Sequence, residues 1–176
     1  MDITKNVVRI WAPDRFMVHD RIFDNVDFDN TKVITQQELD DIVTNNKDLG
    51  SNGLFEKSDN FHDRQRGQSD LRNSLESVNM AAIALSFLPR TDEPTSIHSY
   101  TIKHCVEGWT KEIDPSGNGL YISNGALIAA AIHVGLKLKK SRSRDCYFNI
   151  SKVYLKILNN YKKVTYSRNA STSMEY

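Results

Sequence analysis

Apolar side chains at Leu71, Leu75, Val78, Ala82 and Leu85 recur at i, i+4, i+7, i+11 and i+14. That is one helical stripe, and Ile83 and Phe87 widen it. Pro89 ends the helix, and Arg90–Ser96 (RTDEPTS) reads as a linker. A second stripe follows at Ile102, Cys105, Val106, Trp109 and Ile113, with Ser99 as its candidate cap. Lys103 and Glu107 stand at i, i+4 on its polar side, and Pro115 with the glycines after it stops the helix. Asn124 to Leu138 is apolar on every side, the mark of a buried helix. Its Ala129, Ala130 and Ala131 let neighbouring helices come close. From Ile150 to Lys162 the stripe returns at Ile150, Val153, Tyr154, Ile157, Leu158 and Tyr161.

The front of the chain is less periodic. Asn6–Trp11 (NVVRIW) predicts a strand ended by Pro13, and Asp20–Asn30 predicts a loop. Thr35 predicts an N-cap for a helix over Gln36–Thr44, with Glu38 three residues on to close a capping box. Asn45–Gly67 is polar and glycine-bearing and predicts a long loop or mobile connector. Asp48–Phe55 (DLGSNGLF) and Asp114–Tyr121 (DPSGNGLY) share D-x-x-x-N-G-L-aromatic, which reads as repeated turn chemistry rather than duplication. The fold class expected is mainly α, or α+β with one or two short N-terminal strands. A compact helical C-terminal lobe should enclose the Ala-rich helix. The expected division is an acidic region over residues 1–89, a basic helical lobe over 96–166 and a flexible tail over 167–176, with a single domain as the alternative.

Composition adds a class. Hydrophobic residues at 39% and charged residues at 26% are ordinary for a soluble globular chain of 176 residues. The longest apolar run, Ala126–Ile132, is far short of the ~20 residues a membrane-spanning helix needs. The opening MDITKNVVRIWAPDR lacks the apolar stretch of a signal peptide. The expectation is a cytoplasmic protein with no membrane partner. Cys105 and Cys146 stand apart without a CxxC, and the reading is two reduced, buried thiols.

Charge changes the picture more. The net is +1, but Lys103–Tyr176 holds 12 Lys and Arg against 5 Asp and Glu, whereas the preceding residues hold 11 against 17. A back half at +7 and a front half at −6 point to a polyanionic partner for the back half, or to two halves that pack together and cancel. The cations Lys137, Lys139, Lys140, Arg142 and Arg144 follow the apolar helix. A helix dipole accounts for one or two cations in the last turn and not for five. With Lys152, Lys156, Lys162, Lys163 and Arg168, interleaved with Tyr147, Tyr154 and Tyr166, they form a candidate nucleic-acid-binding surface; the alternative is a solvated face.

Other chemistry fares worse. Asp114, Ser116, Asn118 and Gly119 match the start of a calcium loop, but its twelfth position is Gly125, which has no carboxylate. Asp27, Asp29, Thr31 and Glu38 match an EF-hand loop better, with Lys32 in the glycine place, as a metal alternative. The nine-residue connection from Asp114 to Ile122 is too long for a helix-turn-helix, and the second helix offers little that reads bases. The pairs His19–Asp20 and His62–Asp63, and the spacing of His98 from His104, make no recognised catalytic or metal signature. No cofactor is expected and no catalytic residue is assigned.

The segments SYTIKHCVEGW (Ser99–Trp109), YISNGALIAAAIHVGL (Tyr121–Leu136) and CYFNIS (Cys146–Ser151) resemble small uncharacterised accessory proteins of bacterial plasmids, phages and integrative elements. The resemblance covers Ser99–Ser151. It implies a setting in a bacterial host cell, with which the frequent Asn and Lys agree, and carries no activity. The function expected is a non-enzymatic phage or mobile-element protein that binds DNA or RNA through the basic surface. The alternative is a protein-interaction module, an inhibitor of a host system or an assembly protein, that meets a host or phage protein with its acidic half. A homo-oligomer is compatible with either.

Overall fold

The computed structural model describes residues 33–86, 88–113 and 118–152, the side chains of residues 112 and 113 excepted. The strand expected at Asn6–Trp11, the loop at Asp20–Asn30, Phe87, the loop start at Asp114–Gly117, the helix beyond Lys152 and the tail lie outside them.

Helix α1, Gln36–Asn45, begins at the expected capping box. The Thr35 hydroxyl accepts the Glu38 N–H at 3.2 Å, and the Glu38 carboxylate accepts the Thr35 N–H at 2.8 Å. Leu39 and Val43, one turn apart, are its buried pair. Just before it, Ile34 donates its N–H to Asn79 Oδ1 at 2.7 Å and accepts from Asn79 Nδ2 at 3.2 Å.

The polar stretch expected as a loop is ordered. Strands β1, Leu49–Gly50, and β2, Gly53–Leu54, form a two-residue antiparallel ladder. Helix α2, Phe61–Arg72, starts at Asn60, whose side chain accepts the Asp63 N–H at 2.9 Å. Within it only Gly67 and Leu71 are buried, so no apolar stripe announces it. The stripe from Leu71 to Leu85 is likewise divided. Asn73 ends α2, and helix α3, Leu75–Ser86, starts anew, yet Leu71, Val78, Ala82 and Leu85 all reach the core.

Helix α4 spans Ser99–Ile113 and helix α5 spans Asn124–His133. Every residue from Asn124 to Ala131 is buried, and α3 against α5 is the most extensive packing of the fold. One cluster of buried side chains runs from Ile34 to Ile150. Helix α5 is a turn shorter than expected, because Gly135 takes a positive φ of 74°. The chain then enters β3, Leu138–Lys140, paired antiparallel with β4, Cys146–Phe148, with Lys139 opposite Tyr147. The five cations therefore sit on a hairpin, not at a helix end. The helix end is met instead by Arg90, whose guanidinium donates to the carbonyls of Val134 and Gly135. The RTDEPTS linker lies along β4, with Thr91 and Thr95 N–H groups donating to Asn149 and Phe148 carbonyls, each at 2.9 Å. Ser99 does not cap: its hydroxyl accepts the Cys146 N–H at 3.1 Å and faces Asp145 at 3.3 Å.

The β1–β2 hairpin is held on three sides. Ser51 N–H donates to Gly67 of α2, Gly125 N–H of α5 donates to Ser51, and Leu54 N–H donates to Arg144, all at 2.8 Å. A β-carbon on Gly125 falls inside contact distance of the Gly50 carbonyl oxygen. Gly53 has a φ of 103°, and Gly119 in the matching Asn-Gly of the second motif has a φ of 67°, so both pairs serve turns.

Gly125→Ala should therefore cost about 3 kcal/mol or more, as overpacking against backbone that cannot yield. Gly108 lies on α4 with open space around its missing β-carbon, and Gly108→Ala should stabilise by about 0.5–1 kcal/mol. Urea unfolding of the two variants checks both, and a tolerated Gly125→Ala contradicts the close approach.

Candidate nucleic-acid interface

Strand alternation sets the hairpin's two faces. Cys146 and Phe148 are buried, and Tyr147 between them turns outward beside Lys139. The connection Ser141–Asp145 closes on a Ser141 N–H donating to the Asp145 carbonyl at 3.0 Å.

Three of the five hairpin cations are engaged by carboxylates from the acidic half. Lys137 reaches Glu93 at 3.4 Å and the Asp92 carbonyl at 2.6 Å. Lys140 reaches Asp48 at 3.1 Å, which also lies 3.8 Å from Arg64. Arg144 pairs with Asp59, whose side chain is only 10% exposed. The Arg144 hydrogen bond, followed by the Glu56 N–H, holds the Asp59 carboxyl below the usual carboxylate range, and Asp59 in turn holds Arg144 more firmly protonated. Lys152 donates to Ser96 Oγ at 2.7 Å. Lys139 and Arg142 make no ion pair with a described residue. Lys156, Lys162, Lys163 and Arg168 lie outside the described residues, so the extended basic surface is described only at its hairpin end.

The hairpin tip faces the turn that follows β2. Between them opens a cleft of about 560 Å³, lined by Asp48, Leu54–Ser58 and Lys140–Ser143. It gathers three cations, Lys57, Lys140 and Arg142, against two carboxylates, Asp48 and Glu56, with the hydroxyls of Ser58, Ser141 and Ser143, the last donating to Asp145 at 3.2 Å. Ammonium, guanidinium and hydroxyl donors on facing walls suit an anion with several oxygens. Lys57 and Ser58 carry no sequence signal: they fall in a polar stretch, and long-range ties, Arg144 to Asp59, Leu54 to Arg144 and Lys140 to Asp48, bring them to the hairpin.

A second cluster lies on α4. Lys103 is only 5% exposed, and its Nζ meets Glu107 Oε1 at 3.1 Å. Glu107 Oε1 also accepts the Ile122 N–H at 3.2 Å, and its other oxygen meets His104 Nδ1 at 2.9 Å. The Lys103 ammonium lies 5.3 Å from the Tyr100 ring and 4.9 Å from the Tyr121 ring. Next to it, His98 stacks on Tyr147 with centroids 4.6 Å apart.

Both cysteines are buried thiols outside any disulfide, and burial pushes the Cys146 thiol up to about 11, which keeps it protonated and unreactive. Of the metal alternative, Glu38 spends its carboxylate on the capping box and is held below the ordinary carboxylate range by Thr35, while Asp27, Asp29 and Thr31 lie outside the described residues. Among the described residues no group of three His, Cys, Asp or Glu has metal-holding geometry. No described helix is long and apolar enough to cross a membrane. Comparison with protein-family models, curated proteins and solved structures finds no match to the chain.

The Asp59–Arg144 tie should show in the pH dependence of stability. With its folded pKa depressed, Asp59 contributes fully above the unfolded carboxylate range near ~4 and loses the contribution as pH falls through the folded value. Thermal melts of the wild type and Asp59→Asn should differ most near neutral pH and converge in acid. A gap unchanged across that range contradicts the tie.

Proposed function

We propose that the chain is a non-enzymatic accessory protein of a phage or other mobile element, and that it binds nucleic acid by backbone contacts at the cleft between the β3–β4 hairpin and the turn after β2. The observation that carries the reading is the meeting of Lys57 and Arg142 with the Ser58 and Ser141 hydroxyls around one open cleft, where Lys140 is already paired with Asp48, and with Lys139 exposed on the adjoining strand. Phosphate oxygens accept from both kinds of donor, and such contacts fix a nucleic acid without reading its sequence. The setting rests on the resemblance over Ser99–Ser151. The interaction-module alternative receives less support, because Asp48, Asp59 and Glu93 are spent on the chain's own cations.

Fluorescence anisotropy of labelled oligonucleotides, at several salt concentrations, tests the proposal. Affinity should fall log-linearly with salt, with a slope near about −3 for some three or four neutralised phosphates. Replacing Lys57, Lys139 and Arg142 together by Gln should weaken binding at low salt by roughly 100-fold and flatten that slope. No binding at low salt, or a triple variant that binds like the wild type, rejects it.

A further inference from the structure

Among the described residues the exposed large hydrophobic side chains are Phe61, Tyr100 at 53% and Tyr121 at 69%. Two of these three border one nearly buried ammonium. Burying a lysine is costly, and a buried Lys–Glu pair is weak evidence for stability in itself. What this pair does in space is hold two rings. Glu107 takes the N–H of Ile122, and Ser77 Oγ donates to the carbonyl of Tyr121 at 3.0 Å, so the backbone is fastened on both sides of the Tyr121 ring. Tyr100 stands on the first turn of α4 with its ring edge-on to His104, centroids 4.6 Å apart, and His104 is tied to the same Glu107. Both rings are thus fixed from beneath while much of their surface meets solvent.

This aromatic face is continuous with the hairpin. Lys139 opposes Tyr147, and Tyr147 opposes His98, in successive register positions. Ser99, the next residue, is bonded to the Cys146 N–H, and Tyr100 follows it. Lys139, with no ion pair to a described residue, the half-exposed Tyr147–His98 ring contact and Tyr100 on the first turn of α4 therefore follow one another through the register, with Tyr121 joined to Tyr100 across Lys103.

We propose that the ligand of the cleft is a single-stranded nucleic acid whose bases stack on Tyr100 and Tyr121 while its phosphates follow the hairpin cations. The proposal rests on the reading of the cleft as a phosphate site and adds the strandedness of the ligand. Exposed rings beside a positive track are the pattern that binds unpaired bases, since every base has a π face. In a duplex those faces are already stacked and out of reach. The Lys103 ammonium beside both rings is balanced by Glu107, so this face contributes stacking surface while the hairpin cations supply the phosphate contacts.

The experiment uses the full chain and three labelled probes of one sequence: single-stranded DNA, single-stranded RNA and the DNA duplex. At fixed salt, single strands should bind at least 10-fold more tightly than the duplex. Tyr100→Ala with Tyr121→Ala should lower single-strand affinity by about 5- to 100-fold per ring and leave duplex affinity unchanged. Tyr100→Phe with Tyr121→Phe should keep most of the affinity, because the ring is what stacks. Circular dichroism establishes that each variant is folded; an unfolded alanine pair leaves the wild-type probe preference and single substitutions as the deciding readouts. Equal or tighter duplex binding, or single-strand affinity untouched in folded alanine variants, overturns the strandedness while the cleft reading stands. The latter outcome would assign the tyrosines to a protein contact. Binding of no probe at all overturns both.

Discussion

The backbone touch between Gly125 and the Gly50–Ser51 peptide is the constraint on which the arrangement of the chain depends. Helix α5 is the buried axis, and its first turn accepts another segment only at backbone distance, where Gly125 donates to Ser51 at 2.8 Å. The same Ser51 donates to Gly67, so α2 is brought to α5 through the thickness of one peptide. Leu54, at the far end of the hairpin, donates to Arg144 and fixes the β3–β4 turn. Asn124 reinforces the junction by donating to the Arg144 carbonyl and to Asp145. Small residues here are a packing device: they let polar backbone groups satisfy one another inside the fold, where an unpaired one would be costly.

Electrostatics follows from that geometry. The acidic and basic halves face one another at the hairpin, and Asp48, Asp59 and Glu93 are matched to Lys140, Arg144 and Lys137. Among the described residues these three pairs consume part of the charge asymmetry internally, two of them in exposed pairs of small individual worth. Among the cations left outward are Lys57 and Arg142 at the cleft and Lys139 on the adjoining strand, while exposed Tyr100 lies on α4 and exposed Tyr121 just before α5.

Legibility in the sequence followed the strength of the periodic signal. The Thr35–Glu38 capping box, the apolar face of α4 and the buried character of α5 are all readable, because each is a local pattern with a short-range cause. Helix α2 was not, since it buries little beyond Gly67 and Leu71 and its order comes from partners distant in sequence. Strands of two or three residues are too short to show alternation. The cation cluster was visible, but its setting turned on Gly135, whose positive φ ends α5 early and converts an expected helix end into a hairpin. Lys103 and Glu107 were readable as a polar i, i+4 pair. Their burial was not, because Tyr121 and Ile122 come from another segment.

The two walls of the cleft are far apart along the chain: the Arg144–Asp59 contact spans 85 positions and Lys140–Asp48 spans 92. Contacts of that sequence separation carry a large loop-closure penalty and form after local helices do. Folding should therefore assemble α3 against α5 early and the cleft late. By the same logic the cleft belongs to the part of the molecule that opens first under stress, since few buried side chains hold its rim. The integrity of the cleft and that of the helical core are then separable: the chain can lose the former by a local opening while retaining the latter.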